Sequence, residues 1–246
     1  MTDRTAGLHD YLESLARNSS ERWTVSACGV TGSRQNIPAL LDKDAYARAS
    51  NTVPVLLISG LSGHKDDVSL ARRAIELFQD SGIGLANHIG LSAVPCCNPD
   101  GRRDLSTGYP PTDNFFNDAE EPEKRYLWRW ICFQGPSLVL ELRSGESVRW
   151  QSNDAGGSLA AAVAGPVDSV ENESLLAALG TGSPDGLGPI PGLRLTTPMD
   201  DLGDELRRLW KALSDQPDLG GASPARQALE ARAARSYLEV ARTLAK

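Results

Sequence analysis

Histidine is scarce in this chain: His9, His64 and His88 are the only three. Four cysteines are present, Cys28, Cys96, Cys97 and Cys132, with one adjacent pair and no C-x-x-C spacing. A vicinal pair does not readily close an unstrained disulfide, and without C-x-x-C spacing no cysteine-based metal knot is expected. The expectation is a reduced, cytoplasmic protein. Positive charge is also short, with 25 Lys and Arg against 32 Asp and Glu and a formal net charge of −7. That balance, with no basic stripe, argues against a nucleic-acid partner. No apolar run approaches the roughly 20 residues needed to cross a bilayer, so no membrane partner is expected. The first residues (MTDRTAGLHDYLESLARN) carry Leu8, Tyr11, Leu12 and Leu15 at helical spacing and lack the apolar stretch of a signal peptide.

What remains is ordinary globular material. Hydrophobic residues make up 40% of the 246 and charged residues 23%, enough to bury a proper core. Trp23–Val30 and Asn36–Leu41 bracket a Thr31-Gly32-Ser33 turn and predict a hairpin. Val53–Ser59 (VPVLLIS) is a continuous apolar run of the kind found in buried strands. A helix follows, with Asp66 or Asp67 as its N-cap, Val68, Ala71, Ile75 and Phe78 on one face, and Gly82 at its end. Leu91–Cys97 is the next buried strand and runs into the turn Asn98-Pro99-Asp100-Gly101. Glu123–Phe133 reads as a helix and Leu138–Leu142 (LVLEL) as a third apolar strand. This alternation predicts an α/β fold in one domain over residues 1–246, with a mixed, mainly parallel sheet and helices on both faces. Residues 155–192, rich in Gly, Ala and Pro, read as loops with one short helix near Glu173–Leu179. Leu193–Thr196 reads as an edge strand, and amphipathic helices are expected at about 200–214 and 224–245.

Ligands of open α/β sheets collect at the carboxyl ends of the strands. Here those ends are Ser59-Gly60-Leu61-Ser62-Gly63-His64, Cys97-Asn98-Pro99-Asp100-Gly101 and Leu142-Arg143-Ser144-Gly145. The candidate pocket residues are therefore Ser62, His64, Lys65, Asp67, Asn98, Arg102, Glu141 and Arg143.

These segments, in this order, resemble the zinc carboxypeptidase superfamily, which includes the succinylglutamate desuccinylase-like amidohydrolases. Cys28–Pro38 is similar to an early G-x-S/T-x-x-G-R-x-I hairpin, with Ser33 where a Gly is usual. VPVLLIS followed by GLSGHKDD resembles the family's strand and G-x-H-G-x-E loop. VPCCNPDGR at 94–102 is similar to P-x-x-N-P-D-G, and PSLVLELRSG at 136–145 falls where the family has a strand ending in D-L-H. The resemblance covers residues 8–150. It implies a zinc held by His and Glu of the H-x-x-E loop and by the His of D-L-H, with a metal-bound water as nucleophile and a late Glu as general base.

The ligand positions are filled otherwise. Without a gap, Ser62 falls at the ligand His and Lys65 at the ligand Glu. A two-residue shift places His64 and Asp67 there instead, a pair able to chelate. Arg143 takes the position of the second His. A Ser hydroxyl is a poor zinc ligand, and a Lys ammonium has no lone pair to give. No late strand carrying a Glu is apparent, since Glu239 falls in a predicted helix, and Asp113-Asn114 stands near the family's substrate-contacting Asn-Arg pair.

Each candidate also has a plain reading. Asp67 fits a helix cap, His64 an exposed loop residue, His88 a structural one, and His9 a solvated helix surface. Cys96 and Cys97 fit packing at a strand end, and Tyr126, Trp128 and Trp130 a helix packed on the sheet. Glu141 lies inside an apolar strand and needs a polar partner; Arg143, on the same side, and Lys65 both offer one. The expectation is a carboxypeptidase-like protein with a degenerate metal site. It would need no cofactor, and would bind a small molecule or peptide or serve as a structural module. The alternative is an active metal-dependent carboxypeptidase or amidohydrolase, with zinc on His64, Asp67 and a third ligand. A third reading is a metal-free hydrolase using Ser62 with Lys65.

Overall fold

The computed structural model describes residues 7–19, 22–43, 45, 52–82, 88–101, 103–111, 121–182 and 188–215. The chain starts with α1 (Leu8–Asn18), which buries Leu8, Leu12 and Leu15 along one side. β1 (Trp23–Val30) and β2 (Asn36–Asp42) form the expected antiparallel hairpin. β3 (Val53–Ser59), α2 (Lys65–Asp80), β4 (Ile89–Val94), α3 (Pro122–Gln134) and β5 (Leu138–Ser144) follow as the alternation predicts. Next come β6 (Arg149–Ser152), α4 (Gly157–Ala164), β7 (Asp168–Ser169), α5 (Leu175–Thr181), β8 (Gly192–Thr197) and α6 (Leu202–Ser214).

The strands form one eight-stranded sheet in the order β1-β2-β4-β3-β5-β8-β6-β7. Its centre, β4, β3, β5 and β8, is parallel; β2 joins β4 and β6 joins β8 in antiparallel sense. Parallel strands are covered on both faces, which is why β3, β4 and the start of β5 are apolar at every position or nearly so. Val55, Leu57, Leu138, Leu140 and Leu142 pack with α1, α2, α4 and α6 on one face. Leu56, Ile58 and Val139 pack with α3 and α5 on the other. From β3 the chain moves to β4 on one side, then crosses back to β5 on the other. The strand order therefore reverses between β3 and β5, and a crevice at their carboxyl ends follows from that reversal.

Three expectations are corrected. Leu193–Thr196 is not an edge strand: β8 lies between β5 and β6, and Leu193 and Leu195 are fully buried. Residues 155–192 are more than loops with one helix, because α4 and β7 lie within them. β4 ends at Val94, before Pro95, so Cys96 and Cys97 lie beyond the strand. The predicted 224–245 helix falls outside the described residues. Among the described residues no helix is long and apolar enough to cross a membrane.

Candidate functional site at the strand ends

After Ser59, Gly60 (φ 71°) and Gly63 (φ 76°) turn the chain through conformations that residues with a Cβ rarely adopt. They set α2 to begin at Lys65. Its N-cap is His64, with no side-chain cap bond, so neither Asp66 nor Asp67 caps the helix as expected. Asp67 instead turns its carboxylate inward and is 2% exposed. Its Oδ2 accepts the Ser62 hydroxyl at 2.7 Å, and its Oδ1 accepts the Ser144 backbone N–H at 2.8 Å and hydroxyl at 2.7 Å. The Ser59 hydroxyl, 2.8 Å from the carbonyls of both Asp67 and Leu142, adds a second tie. The loop after β3, the first turn of α2 and the end of β5 are thus closed onto one carboxylate.

On the opposite face of β5 stands Glu141, 1% exposed. Its two oxygens accept from Arg143 Nε at 2.6 Å and from Arg194 Nε at 3.0 Å. Arg194 lies on β8 directly opposite Glu141. It also donates to Gln151 Oε1 at 3.4 Å and to the Glu171 carboxylate. Burial alone lowers the Arg194 pKa, but the carboxylates of Glu141 and Glu171 outweigh it and hold the guanidinium charged. Burial likewise raises the Glu171 carboxyl, and the bond and charge of Arg194 more than reverse this, leaving it below its ordinary value. The expected Glu141–Arg143 pair is present. Lys65 is exposed and is not among the partners of Glu141.

Asn98 serves its own turn. Its amide donates to the Leu61 and Arg103 carbonyls at 3.0 and 2.6 Å, and its oxygen accepts from Gly101 N at 2.9 Å. Arg102 and the Asp113-Asn114 segment lie outside the described residues. His64 is exposed, and His9 pairs on the surface with Glu13 at 3.3 Å. Ser62 gives its hydroxyl proton to Asp67 while Lys65 points to solvent, an arrangement that does not support the Ser–Lys reading. Burial pushes the Cys28 thiol up to about 12 and Cys97 well above its ordinary value, so both stay protonated and pack rather than react.

Sequence reasoning missed Arg194, Gln151, Glu171 and Tyr109. The chain at 105–109 crosses the strand ends: Leu105 N bonds Leu61 O at 3.0 Å, and Tyr109 N bonds Glu173 O at 2.9 Å. Tyr109 is 5% exposed, and its hydroxyl is buried without a partner among the described residues. One signal was available for Arg194. A charged residue amid the apolar positions of GLRLTT poses the same question as Glu141 in LVLEL.

No protein-family profile and no curated protein matches the chain. Solved structures do. A metallo-carboxypeptidase from Burkholderia cenocepacia aligns over 87% of this chain and 67% of its own, with a TM-score of 0.62 and 12% identity. Carboxypeptidase A from Helicoverpa armigera aligns over 89% and 73%, with a TM-score of 0.57 and 15% identity. A Pseudomonas aeruginosa metallo-carboxypeptidase, in complex with (2-guanidinoethylmercapto)succinic acid, aligns over 86% and 68%, with a TM-score of 0.56 and 17% identity. The chain has the zinc carboxypeptidase-like fold. The likeness extends beyond residues 8–150, since 87% of the 246 residues is more than that stretch holds.

The zinc that this fold implies is poorly matched by the groups found at the strand ends. A carboxypeptidase-type site needs about three lone-pair donors around one point. Ser62 offers a hydroxyl already committed to Asp67, Lys65 an exposed ammonium, and Arg143 a cation locked to Glu141. In the shifted register Asp67 brings a carboxylate engaged by three hydrogen bonds, while His64 is exposed. Among the described residues no group of three or more His, Cys, Asp or Glu converges as a metal site.

Proposed function

We propose that this protein uses the carboxypeptidase-like fold without its hydrolytic metal, as a binding protein for a small molecule or peptide at the carboxyl ends of β3 and β5. One observation carries the reading. Arg143, at the position where the resemblance expects a metal-ligating His, is anchored through Nε to buried Glu141 while its side chain stays 26% exposed. Its two terminal nitrogens have no bond within the described residues. A guanidinium fixed at one edge and open at the other presents a planar pair of donors, suited to an oxyanion such as a carboxylate. The Tyr109 hydroxyl, buried without a partner among the described residues, supports the same reading, because a buried polar atom is normally satisfied. Four buried cysteines outside any disulfide fit a reducing, cytoplasmic setting.

Isothermal titration of the full chain with short N-acylated dipeptides tests this, with mass spectrometry of the mixture for cleavage. Binding without turnover is expected, weakened at least about tenfold, or about 1.4 kcal/mol, by Arg143→Ala. Cleavage of the peptides would overturn the non-hydrolytic reading and favour the active metallohydrolase. Absence of any binding would overturn the ligand-binding reading in favour of a structural module.

A further inference from the structure

Two buried side-chain polar atoms lack a hydrogen-bond partner among the described residues, the Tyr109 hydroxyl and Ser137 Oγ. Ser137 precedes β5, at the end of the sheet away from the crevice. Tyr109 lies at the other end. It packs in the apolar cluster of Leu61, Cys97, Trp128 and Val139, on the face of β5 that also carries Glu141 and Arg143. Burial raises the pKa of its phenol well above the ordinary value, and Cys97 and Glu141 raise it further. Cys97 follows β4, Glu141 lies on β5, and β3 runs between those two strands. The hydroxyl is thus an uncharged donor flanked by groups from either side of β3, where the strand order reverses.

The backbone holds this ring in place. Gly108 (φ 79°) turns the chain, and Tyr109 N donates to Glu173 O at 2.9 Å. The ring lies 6.3 Å from that of Trp128. None of these contacts uses the hydroxyl, so a phenylalanine meets the same packing. The polar groups nearby are engaged elsewhere: the Glu141 oxygens by Arg143 and Arg194, Cys97 Sγ by Val94 O at 3.4 Å, and Lys124 Nζ by Glu121 at 2.7 Å. A trapped water needs roughly two to four polar partners, which groups so engaged do not readily supply. An unsatisfied hydroxyl lowers the stability of the ligand-free protein. For the same reason it is a strong donor toward a ligand, because its desolvation is complete before binding.

We propose that Tyr109 is the second anchor of the strand-end site and sets its specificity. Its hydroxyl donates to an oxygen acceptor on the ligand whose oxyanion Arg143 holds, an inference that rests on the ligand-binding reading above. The ligand class is therefore an oxyanion that carries a second oxygen acceptor, and since the phenol is uncharged a carbonyl suffices.

Calorimetric titration of the full chain and of Tyr109→Phe with an N-acetylated dipeptide, together with ligand-free thermal melts of both, tests this. Tyr109→Phe is expected to bind at least about fivefold more weakly, the worth of one hydrogen bond. Its ligand-free melting temperature is expected to hold or rise, because the variant buries no unsatisfied hydroxyl. A merely structural tyrosine gives the reverse, a variant that melts lower. That result, or a variant that fails to fold, shows an internal partner such as a trapped water and overturns the proposal. Binding that Tyr109→Phe leaves unchanged also overturns it, and if Arg143→Ala still weakens that binding, the reading it rests on stands. No binding by the unaltered chain overturns both.

Discussion

Asp67 gathers hydrogen bonds from Ser62 and Ser144 at a point otherwise sealed from water, so its carboxylate acts as a cross-link between two strand ends. Asp67→Ala strands two hydroxyls and a backbone N–H, and is expected to cost about 2–4 kcal/mol in urea unfolding. Arg194→Leu removes the cation shared by Glu141 and Glu171 and is expected to cost about 3–5 kcal/mol by the same measurement. Replacing Glu141 and Arg194 together by leucine should recover much of that loss, because no buried charge is then left without its partner on β8. At this scale the sequence was readable where partners are near in the chain. Glu141 and Arg143 lie on the same side of one strand because side chains alternate, and the structure joins them. Arg194 was hidden because its link to Glu141 depends on the register of β5 with β8, across a sequence separation of 53. Asp67 was read as a cap from its place at a helix start, although its side chain faces the sheet.

α3 rests on β1 through a contact that only glycine allows. A Cβ on Gly29 would stand 2.2 Å from Tyr126 Cγ and 2.4 Å from Tyr126 Cβ, an atom that cannot swing aside without moving the helix. Gly29→Ala is expected to cost about 1–3 kcal/mol, seen as a lower urea midpoint. The segment after β7 is held differently, by Glu171 on Arg194. Because the folded-state pKa of Glu171 is lowered, its stabilisation is present above the unfolded value of 4.5 and fades as the pH falls below it. Melting temperatures should therefore fall on acidification below about pH 4.5, with a shallower acid limb for Glu171→Gln; equal acid limbs would show that the pair contributes nothing. The elements of the first half were legible because β3, α2, α3 and β5 carry strong apolar runs or clear helical spacing. The second half was harder to read. β6 is only RWQS, α4 is a Gly- and Ala-rich stretch resembling a loop, and β8 is short, with no apolar run to mark it as a central strand.

For the molecule as a whole, the proposed function holds the carboxypeptidase-like fold apart from metal chemistry. The mixed, mainly parallel sheet with helices on both faces matches the carboxypeptidase-like structures, while in the gap-free register of the resemblance Ser62, Lys65 and Arg143 fall at the ligand positions. On the proposed reading, a carboxylate cross-link on one face of β5 and a guanidinium–carboxylate row on the other tie the strand ends together without an ion. Metal content is the most direct test. The full chain, expressed in zinc-supplemented medium and purified without chelator, is assayed by inductively coupled plasma mass spectrometry, with thermal melts before and after chelation. The account predicts zinc far below one equivalent and an unchanged melting temperature. One equivalent of zinc whose removal lowers the melting temperature would contradict it.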